Sequence, residues 1–177
     1  MPEPDGRSLV TNTTPLIALT SATGGLEVLR FLFERVVVPL EVAEELRVGG
    51  PKAFGVDVFS AAADWLEVQV QPVTLQPYLH NSLDRGEAAF IQTALNLQLP
   101  LVCIDETAGR CIARLCNLRL TGSIGILLKA RNQGFAVDTP QALDRMRRQG
   151  AYFSASWTAF QADRGRHFSV MVDGVSV

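Results

Sequence analysis

The sequence predicts one α/β domain built around a largely parallel sheet. Three observations predict it. Short β-branched or apolar runs alternate with helical stretches, the pattern of βαβ units. Glycine and proline mark many of the joins, at Gly24-Gly25, Pro39, Gly49-Gly50-Pro51 and Pro100. The 177 residues are 47% apolar and 19% charged, which suits a single packed core and is too apolar for disorder.

The elements follow in order. "SLVT" at 8–11 reads as a short strand. Thr14 is a good N-cap and Pro15 a good first helical residue, so a helix is expected from there to about Ala22. "LEVLRFLF" has helical spacing, and "RVVVP" is a buried strand stopped by Pro39. "LEVAEELR" is helical up to the Gly-Gly-Pro breaker, 52–64 holds a short helix, and "WLEVQV" alternates like a strand. "DRGEAAFIQTALNL" is amphipathic, with Ala88, Ile91, Ala94 and Leu95 on one side. "LVCID" is an apolar strand that delivers Asp105 at its end. "ETAGRCIARLCNL" is a helix, "RLTG" a strand and "SIGILLKARNQG" another helix. Helices are expected at 139–149 and 154–163, and "FSVMVDGVSV" fits either an edge strand or a frayed tail. No repeat or linker divides the chain, which reads as one domain over 1–177 with its core at about 8–150 and a helical extension at 151–177.

Composition narrows the function. The N-terminus MPEPDGRS has no apolar segment behind it, and no run approaches the roughly 20 residues that span a bilayer, so a cytoplasmic protein without membrane contact is expected. Cys103, Cys111 and Cys116 form no CxxC pair and are expected as three buried thiols. Two histidines, His80 and His167, exclude a His-rich metal site. Charge is uneven: residues 1–106 carry 14 acids and 6 bases, whereas 107–150 carry 8 bases and 2 acids. An acidic site beside a basic, phosphate-contacting surface would have this asymmetry, and so would helix faces that are merely solvated.

In open parallel sheets, ligands bind beyond the carboxyl ends of the strands where the strand order reverses. Asn12 and Asp105 each close a strand, so both should face that crevice. Glu106 follows directly. Glu45, with Glu44 beside it, lies on the helix after the second strand, and Asp84 and Glu87 open the helix before "LVCID", three residues apart on one face. Asp84 reads as a helix cap. Carboxylates gathered without bases repel one another unless a cation lies between them, and oxygen donors suit Mg²⁺ or Mn²⁺. Such ions activate water and stabilise displacement at phosphorus. Other chemistries lack their parts: no GxGxxG follows a strand, and there is no GxxxxGK[ST] or GxSxG. "TGSIG" at 121–125 opens a helix and reads either as a phosphate-holding turn or as a plain strand-to-helix turn.

Five stretches in register, "TNTTPLIAL", "VVVPLEVAEEL", "LDRGEAAFIQTAL", "LVCIDETAGRCIARL" and "RLTGSIGILLKARNQG", together resemble the PIN-domain nucleases, in a prokaryotic PIN-like branch. The resemblance covers residues 8–150. It implies a three-layer α/β/α sandwich with a mainly parallel sheet and an acid-bound Mg²⁺ or Mn²⁺ that hydrolyses RNA. Many relatives are toxins inhibited by a small antitoxin, so such a partner and a homodimer are implied as well. By motif, Glu45, Glu87 and Asp105 fall on the acidic positions, Glu106 is a further acid, and Thr14 falls on the small hydroxyl position. Asn12 stands where the family pattern D-[TS]-[ST]-P-L-I places its aspartate. The amide oxygen still ligates a cation, but one negative charge is gone, which weakens the site, changes the metal it needs or silences it.

The expected machinery is therefore Asn12, Glu45, Glu87 and Asp105 around the metal, with Glu106 adjoining. Thr14 and Ser123 are expected to support substrate or metal-bound water. Arg110 and Arg114, at i, i+4 on one helix face, are expected to contact RNA phosphates. The alternative is a PIN-like domain without catalysis that binds RNA or a protein; a third reading is a doubly wound binding domain whose acids have no metal.

Overall fold

Val10 pairs with Val37 on one side and Val102 on the other, which puts the first strand at the centre of a five-stranded sheet. The computed structural model describes residues 7–149. The strands are β1 (Ser8–Thr11), β2 (Arg35–Val38), β3 (Leu66–Val68), β4 (Leu101–Cys103) and β5 (Arg119–Thr121). All pairs are parallel, in the order β3-β2-β1-β4-β5. Buried on both faces, such strands must be apolar throughout; Leu9, Val10, Val37, Val38, Val102 and Cys103 are each 0% exposed.

The helices are α1 (Thr13–Thr23), α2 (Glu27–Leu32), α3 (Leu40–Arg47), α4 (Val56–Ala61), α5 (Pro77–Ser82), α6 (Arg85–Asn96), α7 (Thr107–Leu115), α8 (Ser123–Asn132) and α9 (Thr139–Arg148). α1 packs on α8 and α9, and α2 on α8; α6 packs on α3, α5 and α7. The two groups flank the sheet as the outer layers of an α/β/α sandwich. α6 is buried from Gly86 to Ala94, and its Phe90 and Ile91 lie wholly inside. Burying each such side chain contributes about 1.5–3 kcal/mol. α1 stops at Gly24, whose left-handed φ of 80° lets its N–H return to the Thr20 carbonyl at 2.8 Å.

Several local expectations change. α1 starts two residues early: Asn12 is its N-cap residue, without a side-chain cap, and the Thr14 hydroxyl is engaged elsewhere. β3 covers only Leu66–Val68 of "WLEVQV". The helix α5 had no counterpart in the sequence reading; Pro77 supplies its first turn, and the Gln76 N–H is held by the Gln92 side chain at 3.1 Å. Only Cys103 is a buried thiol. Cys111 is exposed on the outer face of α7, and Cys116 is half-buried at its end, 3.6 Å from the Tyr78 hydroxyl. The helix at 154–163 and the strand or tail at 168–177 lie outside the described residues. No helix among the described residues is long and apolar enough to cross a membrane.

Candidate active site

The strand order reverses between β1 and β4, so the ends of these two strands form the crevice. Asn12 continues the β1 ladder by one bond, its N–H reaching the Cys103 carbonyl at 3.2 Å. Ile104 does the same for β4, its N–H reaching the Thr121 carbonyl at 3.0 Å. Backbone pairing therefore fixes Asn12 and delivers Asp105 one residue past the ladder.

Asp105 is clamped by the start of α8. The Ser123 N–H donates to its Oδ1 at 2.9 Å and the Ser123 hydroxyl to its Oδ2 at 2.8 Å. A helix N-terminus favours an anion, and here the anion is the protein's own carboxylate. "TGSIG" thus holds Asp105, and Ser123, expected against substrate, has both donors engaged. Arg110 turns inward and donates to the Ile104 carbonyl at 2.9 Å. Burial pushes the Asp105 carboxyl above the usual carboxylate range; the Ser123 bonds and Arg110 pull it down, and Glu106 pushes it up.

Glu106 is the meeting point. It accepts the Thr14 hydroxyl and, at 3.4 Å, the Asn12 side-chain N–H. With its amide nitrogen committed to Glu106, Asn12 is left with a buried Oδ1 that has no hydrogen-bond partner among the described residues. The reverse amide orientation would set two acceptors against each other.

Asp84 caps α6. Its carboxylate accepts the Glu87 N–H at 2.8 Å. The Glu87 carboxylate lies against Gly109 in the first turn of α7, where a Cβ would come 3.0 Å from its Oε1. Burial raises its proton affinity first, then the charges of Asp84 and Glu106. Glu45, exposed on α3, accepts the Thr13 hydroxyl at 2.7 Å.

Three glycines lie against these acids, and of these only Gly122, within "TGSIG", drew notice in the sequence. A Cβ on Gly86 would come 2.7 Å from Glu45 Oε2, on Gly109 3.0 Å from Glu87 Oε1, and on Gly122 2.7 Å from Asp105 Oδ1. Gly86 and Gly109 stand in the first turns of helices, where glycine is unfavourable by about 1 kcal/mol relative to alanine. That local cost is the signal in the sequence: R-G-E and A-G-R each keep a helix surface bare for a neighbouring carboxylate.

Among the described residues, no three His, Cys, Asp or Glu side chains converge closely enough to hold a metal ion. The expected acids instead stand in linked groups: Glu45 with Thr13, Glu87 with Asp84 and Glu106, and Asp105 with Ser123. The donor chemistry still fits a hard divalent cation that keeps most of its waters: an unsatisfied amide oxygen on Asn12 and carboxylates on Asp105 and Glu106.

A family model for the PIN domain matches residues 8–161, most of the chain. The chain belongs to the PIN-domain family. PIN domains are generally nucleases and typically use divalent metals. A search of curated proteins gives no match. Among solved structures, this PIN domain is similar to a PilT N-terminus domain protein from the hyperthermophilic archaeon Sulfolobus solfataricus P2, with 14% identity over 70% of this chain and 92% of that one, and a TM-score of 0.49.

Glu87 gives this PIN domain a pH signature. Its folded-state pKa is raised, so the folded protein binds the proton more tightly than the unfolded chain. Stability contributed by that proton is complete below the ordinary carboxylate pKa of about 4.3 and is lost as pH rises through the folded-state value. Glu87→Gln keeps the shape of the side chain and removes the titration. In metal-free protein, the melting temperature of Glu87→Gln relative to the natural chain should rise between about pH 4.5 and about pH 7. The depressed Glu67, held down by its hydrogen bonds to Arg35, has the opposite slope but cancels in this difference. A flat difference across that range would rule out an elevated Glu87.

Proposed function

We propose that the chain is a metal-dependent ribonuclease of PIN type, working at the β1–β4 crevice and held back by Asn12. The observation that carries this reading is the placement, in a PIN-domain chain, of Asn12, Asp105 and Glu106 together at that crevice, with Asn12 Oδ1 buried and unsatisfied. Asp105, Glu106 and the Asn12 oxygen would hold Mg²⁺ or Mn²⁺, with Glu87 and Glu45 along the rim. When bound, the ion supplies an activated water and positive charge for the phosphodiester oxygens.

The chain's own residues do the positioning. Ser123 fixes both Asp105 oxygens, so this carboxylate does not reorganise on binding. The Thr14 hydroxyl orients Glu106, and Thr13 orients Glu45. The raised proton affinity of Glu87 suits it to take a proton from water or return one to the leaving oxygen. The exposed Arg114 in the basic stretch beside the site is proposed to meet RNA phosphates, and so are the guanidinium donors that Arg110 does not spend on the Ile104 carbonyl. A toxin role with a small antitoxin, and a homodimer, are proposed on the family's habits.

The test is Mn²⁺-dependent cleavage of a mixed RNA pool by the natural protein, with Asp105→Ala as the blank. Cleavage that Asp105→Ala abolishes supports the reading. Cleavage that survives Asp105→Ala comes from another site or a contaminant and sinks it.

One observation favours a second reading. The Asn12 amide and the Thr14 hydroxyl already give Glu106 two donors where a cation would otherwise satisfy it. A site neutralised in this way suits a PIN domain that binds RNA or protein without cleaving.

A further inference from the structure

One acid is buried away from all of this. Glu41 lies in the first turn of α3 and is 5% exposed. Its Oε1 accepts the Val73 N–H at 3.0 Å, whereas its Oε2 is buried with no hydrogen-bond partner among the described residues. A buried carboxylate with an idle oxygen is expensive unless something pairs with it. A helix N-terminus accounts for an acid at this position, but not for an oxygen that nothing meets.

Glu41 also lines a cleft of about 270 Å³ between α3, the segment after β3, and α6. Gln69, Gln71, Val73, Thr93 and Asn96 contribute to its wall, and no lysine or arginine does. Glu41 stands one turn before Glu45, so the cleft is separate from the crevice yet lies along the same α3–α6 seam.

We propose that this cleft binds a small organic cation, of the alkylammonium or guanidinium class, with Glu41 as its counter-ion. The single carboxylate supplies the charge, and the amides and hydroxyl around it accept the remaining N–H donors. Walls that are in part apolar suit the carbon body of such a cation. A bare divalent metal would seek several carboxylates or carbonyls at short range. The volume is near the lower end for small-molecule sites, so the ligand is small. Nothing here depends on RNA cleavage.

Agmatine carries both cationic groups and serves as the probe, with butylurea as its neutral counterpart. The full chain, labelled with ¹⁵N, is titrated with each. Saturable amide shifts at Val73 and Gln69 with agmatine, absent with butylurea and lost in Glu41→Gln, are expected. The glutamine keeps an acceptor for the Val73 N–H, and its spectrum reports whether the fold is intact. No saturable shift in the natural protein at millimolar agmatine overturns the proposal, as does equal binding by Glu41→Gln. Shifts confined to Gly86 and Gly109 overturn it too, because they put the cation on the acids of the other site.

Discussion

Asn12→Asp raises metal-dependent RNA cleavage by about 10–100-fold or more, taking as a floor the loss that disturbing a metal site's outer partners commonly causes. The physical argument runs through Glu106. In the natural chain the Asn12 N–H donates to Glu106 at 3.4 Å. Aspartate has no donor to give, so the variant sets two carboxylates against each other in a buried place. Without metal this costs about 3–5 kcal/mol, the usual penalty for an uncompensated buried charge. A divalent ion reverses the sign, because it meets one more negative charge. The variant should therefore melt lower than the natural protein in chelator and gain more than it from Mn²⁺. Should Mn²⁺ stabilise both proteins equally and cleavage stay unchanged, Asn12 is not at the metal position.

Gly109→Ala is the second large effect, and its sign runs against helix propensity. Alanine is the better helix former by about 1 kcal/mol. At this position, however, a Cβ would stand 2.2 Å from Ile104 Cδ1 and 3.0 Å from Glu87 Oε1. Ile104 is 0% exposed and cannot swing clear. Forcing a methyl into such a place costs about 1–3 kcal/mol, and it displaces the Glu87 carboxylate packed against it. Gly109→Ala should lower the unfolding free energy by that amount and reduce any cleavage. Adding Ile104→Val removes the clashing methyl and should recover part of the loss. A single variant as stable as the natural chain, measured by urea unfolding, would refute the close approach.

The strands were legible because their burial on both faces demands unbroken apolar runs. Residues 8–11, 35–38 and 101–103 declare themselves, and with them the two strand ends that hold Asn12 and Asp105. The amphipathic α6 and its cap Asp84 were legible for the same kind of reason, a period and a capping residue. Less could be read of what side chains do once placed. Glu106 looked like a spare acid beside Asp105, and only the packing of α1 against the β4 end makes it the partner of both Asn12 and Thr14. Thr14 has the composition of an N-cap, yet its hydroxyl serves a residue 92 positions away. The short α5 and the early end of β3 depend on contacts with α6 and β2 that no local window contains.

The central place of β1 also governs when this crevice comes into being. Val10 meets Val102 across 92 residues, so the two halves of the crevice join only when a long loop closes. Closures of that span slow folding more than they weaken the folded state. On the ribosome, Asn12 emerges before Asp105, and it has no Asp105 beside it until β4 has left the exit tunnel and docked. A partly made chain therefore carries no assembled crevice. The cell meets this surface only on a chain whose sheet is almost fully built.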